Sequence, residues 1–267
     1  MNKNMPLISV IMGVYNDADS LETSLDSIEG QTYKNWEFII CNDCSNDNSK
    51  EILLKHAKRN SRYTIIENNI NQGLATSLNK CLAMAKGKYI ARMDADDKSF
   101  RDRLKIEVNY LEKHKEIDMV GAAAQIITDN ERMGILRMPN EVTKLSFIKG
   151  NPFIHPTVMI RKQILDEFHG YDVHNRRSED LELWFRMFAR GKKGVNLSLP
   201  LLDYHESLDD YKKRTLKAAI EASKVYLKGY KELKLPKIYY WYSLRPIVSA
   251  ILPNKIMFKY HRKSYKK

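Results

Sequence analysis

Lys88-Tyr89-Ile90-Ala91-Arg92-Met93-Asp94-Ala95-Asp96-Asp97 begins as an apolar run of strand character and stops on three carboxylates within four residues. Charges this close repel one another. The simplest relief is a divalent cation held by hard oxygen ligands and bridging to the phosphates of a substrate. A solvated acidic loop is the plain alternative for an isolated D-x-D, so the neighbouring sequence has to decide.

Upstream, Leu74–Ala85 has helical spacing and Gly87 stands as a C-terminal stop, with a loop at Asn69–Gly73 before it. Tyr63–Glu67 is a strand, Ile52–Ala57 a helix, and Trp36–Cys41 a strand ending in the polar cluster Asn42–Asp47. Ala18–Ile28 carries Leu21, Leu25 and Ile28 on one stripe, as an amphipathic helix does. Leu7–Val14 is a continuous apolar run, typical of a strand buried on both faces of a parallel sheet. This alternation predicts a mostly parallel α/β sheet with helices on both faces, and such sheets bind ligands at the carboxyl ends of their strands. Tyr15, Asn16, Asp43, Asp94 and Asp96 all fall at such ends and should converge on one crevice.

Downstream, Arg103–His114 is helical, Met119–Ile127 a strand, Asn151–Pro156 a loop and Thr157–Ile160 a short strand. Ser178 is placed to cap a helix whose first turn carries Glu179 and Asp180, where the helix dipole favours acids.

At 267 residues and 43% hydrophobic content the chain can bury a full core. Cys41, Cys44 and Cys81 form neither a disulfide framework nor a zinc site, and read as reduced thiols in a cytosolic protein. The N-terminus lacks the apolar segment of a signal peptide, and no run approaches the roughly 20 apolar residues of a membrane span. Lysine and arginine balance aspartate and glutamate over residues 1–207, so the whole net charge of +12 sits in residues 208–267. A neutral body with a basic tail points to an anionic surface met by the tail, and away from a body that wraps nucleic acid.

In order, the residues quoted above resemble the family 2 glycosyltransferases of the GT-A fold. The matching pieces are Ser9 through Val14-Tyr15-Asn16, Asn42–Asp47, Asn71-Gln72-Gly73 with Asn79, Gly87–Asp97, Arg103-Leu104, His155-Pro156-Thr157, and Glu179-Asp180 with Leu183-Trp184. The resemblance covers about residues 6–207. It implies a catalytic domain over 1–207, with a nucleotide-binding half to about residue 100 and an acceptor half over 101–207, followed by a helical, basic and aromatic extension over 208–267. It also implies that Val14, Tyr15, Asn16, Asp43, Gly73, Asn79, Arg92 and Asp94 bind the donor, Asp43 by accepting a hydrogen bond from the base. Asp96, with Asp94 and His205, would hold Mn²⁺ or Mg²⁺. Asp180 would be the catalytic base with Glu179 beside it, and His155 and Trp184 would lie on the acceptor side.

The chain departs from the family pattern in places. Asn42 replaces a frequent Asp, Cys44 and Asn48 stand where Gly is usual, and Arg101 stands where Pro is. Asp203 stands where an Arg often precedes the histidine by two residues, which bears on His205.

The chemistry agrees. A nucleotide sugar reacts as its diphosphate leaves, so the site must neutralise charge developing there. The acceptor hydroxyl needs a carboxylate in line to take its proton. One metal-holding pair and one separate base suffice for direct displacement with inversion. The expected donor is a UDP-hexose or UDP-N-acetylhexosamine, and the acceptor a glycan or lipid-linked hydroxyl in bacterial surface polysaccharide synthesis. The enzyme would then be peripheral on the inner face of the cell membrane, its aromatic tail meeting anionic lipid or pairing two copies of the chain. A sugar-phosphate nucleotidyltransferase is the rival enzyme, but Gly13-Val14-Tyr15-Asn16 is not a Gly-rich phosphate loop. A nucleic-acid-binding protein using the tail is the rival from another class.

Overall fold

The first apolar run forms strand β1 (Ile8–Val14), buried along nearly its whole length because strands flank it on both sides. The structure, a computed structural model, describes residues 5–128, 131–175, 177–206 and 215–252. β2 (Trp36–Asn42) pairs with β1 in parallel, and β3 (Tyr63–Glu67) lies parallel beyond β2. The chain then returns past β1, so that β4 (Tyr89–Arg92) pairs with its other edge, again in parallel. The order β3-β2-β1-β4 therefore reverses between β1 and β4. Such a reversal opens a crevice beyond the carboxyl ends of the two strands. Tyr15–Asp17 and Asp94–Asp96 follow those two ends directly.

Side chains alternate along β1 and feed two cores. Ile8, Val10 and Met12 pack with Leu21 and Leu25 of α1 (Ala18–Glu29) and Leu53 of α2 (Ser49–Arg59). Ile11 faces the other way, onto Leu78 and Cys81 of α3 (Leu74–Met84). Helices thus cover both faces, as the continuous apolar strands require.

Beyond β4 the sheet is mixed. β8 (Met159–Arg161) is antiparallel to both β4 and β6 (Met119–Ile127), and β9 (Gly194–His205) runs parallel to β6. β5 (Lys98–Ser99) pairs antiparallel with the end of β9, and β7 (Arg132–Leu136) pairs antiparallel with β6. The expectation of a mostly parallel sheet holds for the first four strands. The expected strand at Thr157–Ile160 splits into a 3-10 turn at His155–Thr157 and then β8.

Two local readings need correction. Gly87 does not stop α3, which ends at Met84 with Ala85 already extended. Its role is close approach: a Cβ there would lie 2.5 Å from the backbone nitrogen of Ser9. Ser178 does not cap the helix it precedes, α6 (Glu179–Ala189), through its side chain; it takes left-handed backbone with φ 64°.

α4 (Arg103–Lys113) follows β5, and α5 (Lys162–Glu167) follows β8. The C-terminal extension is no loose appendage. α7 (Leu216–Glu232) buries Val225 and Tyr230 in the same core as Leu181, Trp184 and Phe185 of α6. Contact is so close that a Cβ on Gly229 would meet the Phe185 ring at 2.2 Å. Gly229→Ala should therefore cost about 2 kcal/mol, the scale of overpacking a tight core; a urea midpoint unchanged from wild type would show that α7 gives way freely. A 3-10 segment (Lys237–Leu244) and α8 (Arg245–Ile251) complete the described chain. Tyr239, Tyr240 and Tyr242 pack against that core, whereas Ile238 and Trp241 stand exposed. The expected start of this extension, at residues 208–214, and the basic residues past 252 lie outside the described residues.

Candidate active site

The turn after β1 and the loop after β2 lock together through short polar side chains. Asn16 takes left-handed backbone with φ 58°, its N–H donates to Ser45 Oγ (3.1 Å), and its Oδ1 accepts from the Asn46 N–H (2.7 Å). Cys44 also takes left-handed backbone (φ 62°), so the family's glycine there answers a real backbone requirement that cysteine meets under strain. Asn48, at φ −76°, faces no such requirement. Tyr15 is half exposed above this turn, while the Val14 side chain is buried and its carbonyl accepts from the Asp43 N–H (2.8 Å).

Asp43 is buried and its carboxylate is already engaged. Oδ1 accepts from Asn68 Nδ2 (2.7 Å) and the Gln72 N–H (2.8 Å), and Oδ2 from the Gly73 N–H (2.7 Å). It therefore fixes the loop before α3, where Gly73 needs φ 87°. Asn79 acts similarly across the molecule, its amide bonding both the N–H and the carbonyl of Tyr171. In this structure Asn79 ties α3 to the segment after α5, with both atoms of its amide engaged by the Tyr171 backbone.

The acidic run divides its labour. Arg92, buried at the end of β4, pairs with Asp94 and also donates to the Met93 carbonyl. Asp97 turns inward, where its Oδ1 accepts from the His205 N–H (3.0 Å), and its carboxyl is held well above the ordinary range by burial and then by Asp94 and Asp96. Asp96 reaches the crevice surface. The surrounding walls, then Asp94, push its carboxyl up to about 6, and His205 is close enough to pull it down. Asp94 and His205 thus both act on Asp96, although their ligand atoms do not gather within 4.8 Å of one another as those of Asp26, Glu29 and His56 do, and Asp203 lies opposite Lys98 in the β5–β9 ladder.

Arg92 and Asp94 also line a cavity of about 460 Å³ with Asn151, His155, Glu179 and Asp180. Asp180 Oδ1 accepts from the Leu181 N–H (2.7 Å) and Oδ2 from Asn151 Nδ2 (2.6 Å). Burial raises the carboxyls of both Asp180 and Glu179, and each resists ionising beside the other. The two donors on Asp180 favour its ionised form, so Asp180 is the one that gives up its proton first. His155 is held neutral by burial and by nearby Arg92, with its Nε2 2.9 Å from the Tyr171 hydroxyl. Trp184 is wholly buried; it backs His155 edge-on at 5.9 Å instead of facing the cavity. Direct acceptor contact by Trp184 is thereby excluded in this conformation.

Asn151 and Tyr171 were not singled out by sequence, and only their contacts give them meaning. Asn151→Ala should leave Asp180 with one donor fewer, raising its pKa and moving the acid limb of the pH–rate profile to higher pH by about one unit. A profile that keeps its limb while activity falls uniformly would make Asn151 a purely structural contact.

These features define an α/β enzyme with an acid cluster at the sheet's switch point and a separate buried carboxylate pair. The chain matches the model "Glycosyl transferase family 2" over residues 9–169. It belongs to that family and is a glycosyltransferase. EpsE of Bacillus subtilis (strain 168), named a glycosyltransferase, is 38% identical over 261 residues, covering 97% of this chain and 94% of that one. The Escherichia coli protein WfgD, a UDP-Glc:alpha-D-GlcNAc-diphosphoundecaprenol beta-1,3-glucosyltransferase, is 31% identical over 178 residues, 67% of this chain and 68% of its own. Among solved structures, the mannosyltransferase PcManGT from Pyrobaculum calidifontis, in complex with GDP-Man and Mn²⁺, superposes with a TM-score of 0.66 at 17% identity, over 98% of this chain and 81% of that one. That likeness bears on the fold, and it confirms the GT-A architecture.

Proposed function

We propose that this chain transfers a hexose or N-acetylhexosamine from a UDP-sugar to a hydroxyl of a glycan or lipid-linked acceptor, with inversion, in surface polysaccharide synthesis. One observation carries the reading: a single cavity brings the Arg92–Asp94 end of β4 to the Glu179–Asp180 start of α6. WfgD supports it, since by name it takes UDP-Glc to a diphosphoundecaprenol-linked sugar.

Asp94, Asp96 and His205 are donors of the kind a hard divalent cation takes. Asp96 carries a carboxyl pushed up to about 6 by burial and by Asp94, an excess of negative charge that a cation relieves. Carboxylate oxygens with an imidazole suit Mn²⁺ or Mg²⁺. PcManGT, by its description, holds Mn²⁺. When bound, the cation would supply charge neutralisation to the departing diphosphate.

The chain's own groups do the rest. Tyr15 and the fixed Gln72–Gly73 loop frame the nucleotide. Arg92 holds Asp94 in place and balances the acids around it. Asp180, oriented by Asn151 and the Leu181 N–H, accepts the proton of the acceptor hydroxyl as that oxygen attacks the anomeric carbon. Direct attack from the side opposite the leaving diphosphate inverts the centre. Glu179 keeps its proton longer, which leaves Asp180 as the single base. The enzyme works at the inner face of the cell membrane, where a lipid-linked acceptor is presented.

Purified protein incubated with labelled UDP-sugars and Mn²⁺ should release UDP. Asp96→Asn should cut that turnover by roughly 10²-fold or more with the fold intact. Full activity in the variant, or in excess EDTA, would remove the metal from the mechanism.

A further inference from the structure

The last described elements carry a row of large apolar side chains that no other described element covers. Ile238, Trp241, Leu244, Val248 and Ile251 recur every three or four residues and are 73, 61, 52, 57 and 72% exposed. Through a 3-10 segment running into a helix, that spacing keeps side chains on one side. The other side is occupied: Tyr239, Tyr240 and Tyr242 pack on the core, Ser243 is buried, and Arg245 donates to the Ile148 carbonyl (3.2 Å). An apolar row this long left in water marks a contact surface.

We infer that this row is the face by which the enzyme rests on an anionic lipid bilayer, its aliphatic side chains in the acyl boundary and Trp241 at the level of the headgroups. The inference deepens the reading of a lipid-linked acceptor and rests on it. Charge selects the occupant. The whole surplus of +12 lies in residues 208–267, the stretch that carries the row. A second copy would bring the same surplus to a shared interface and be repelled. Anionic headgroups are attracted to it, and the exposed Lys234 and Lys237 lie immediately before the row. No described helix is long and apolar enough to cross a membrane, so the row lies along the surface.

The same module touches the acceptor half. Tyr230 donates to the Phe147 carbonyl (3.4 Å) and Arg245 to that of Ile148, three residues before the Asn151 that holds Asp180. Docking face and base therefore belong to one packed unit, which sets the base at a fixed height above the lipid.

The chain reports its own insertion. Of three tryptophans, Trp36 and Trp184 are 2% and 0% exposed, so Trp241 dominates any solvent-dependent change in emission. Vesicles containing phosphatidylglycerol should shift that emission to shorter wavelength and sediment the full-length protein at low salt; pure phosphatidylcholine vesicles should do neither. Trp241→Glu with Val248→Glu should weaken vesicle partition at least tenfold. Both side chains are exposed, so the unfolding midpoint and UDP binding should stay unchanged. Full-length protein that ignores anionic vesicles overturns the inference, as does a double variant that sediments like wild type. A double variant that turns a dimer into a monomer by light scattering, with no vesicle binding in wild type, overturns it in favour of a second copy. UDP binding is read separately, and its absence in the wild type would overturn the donor reading instead.

Discussion

Asp180→Asn should reduce sugar transfer by about 10³-fold, within the range that one positioned proton acceptor contributes. Binding of UDP should survive. The amide keeps the size of the carboxylate and can still meet the Leu181 N–H through its oxygen, but it cannot accept the acceptor's proton. Asn151 Nδ2 would then face either the amide oxygen or an amide nitrogen that repels it, so a modest loss of stability should accompany the loss of turnover. In the proposed role Asp180 acts on the acceptor and not on the nucleotide, so kcat should fall far more than donor affinity. An equal fall in UDP affinity would make Asp180 a structural residue. Glu179→Gln supplies the contrast: Glu179 is the carboxyl that holds its proton longer, so the swap should cost much less than the change at Asp180.

Arg103→Leu should destabilise the fold by about 4 kcal/mol, the scale of breaking a buried ion pair, and lower Tm by on the order of 10 °C. Arg103 is fully buried; its Nε donates to Glu107 Oε1 (3.0 Å) and its Nη2 to the Arg92 carbonyl (2.8 Å). It clamps the strand end that delivers Arg92, Asp94 and Asp96. Glu107, also buried, has its pKa raised from 4.5 to about 7 by burial, with Arg103 opposing the rise. The folded state therefore binds that proton more tightly than the unfolded chain does. The resulting stabilisation is fully present below about 4.5 and is lost as pH rises through about 7. Without Arg103 the folded pKa climbs further, so the damage from Arg103→Leu should be larger at pH 8 than at pH 4, by roughly 1 kcal/mol or more. A pH-independent loss would mean that the guanidinium acts through packing alone.

The Arg103-Leu104 pair was legible as a sequence motif, but its task was not, because the Arg92 carbonyl it holds belongs to a different element. The same division runs through the molecule. Strands β1, β2 and β4 could be read because burial on both faces demands unbroken apolar runs, and the acid cluster because three carboxylates in a row are unfavourable without a use. β8 was harder: it is three residues long, and its antiparallel place between β4 and β6 depends on partners from elsewhere in the chain. The side Trp184 faces was hidden because α6 buries Leu181, Leu183, Trp184, Phe185, Met187 and Phe188, so apolar positions run most of the way round it beside the stripe of Glu179, Glu182 and Arg186. Asn151 and Asp180 lie 29 residues apart and meet only in the fold. Asp43 and the Asn71-Gln72-Gly73 piece were both recognised, but that the one fills its carboxylate from the other, with Asn68, shows only in the fold.

The seating of α7 on Phe185 also governs how the enzyme comes into being. During synthesis, a nascent chain that has reached only residue 207 offers Phe185 and its neighbours no cover, so the core around α6 cannot finish folding until Tyr230, Leu233 and Leu235 have emerged. The segment that completes the core leads directly into the exposed row from Ile238 to Ile251. Truncated products should accordingly be aggregation-prone and cleared by proteases, and the cell gains a catalyst only once the C-terminal segment has also been made.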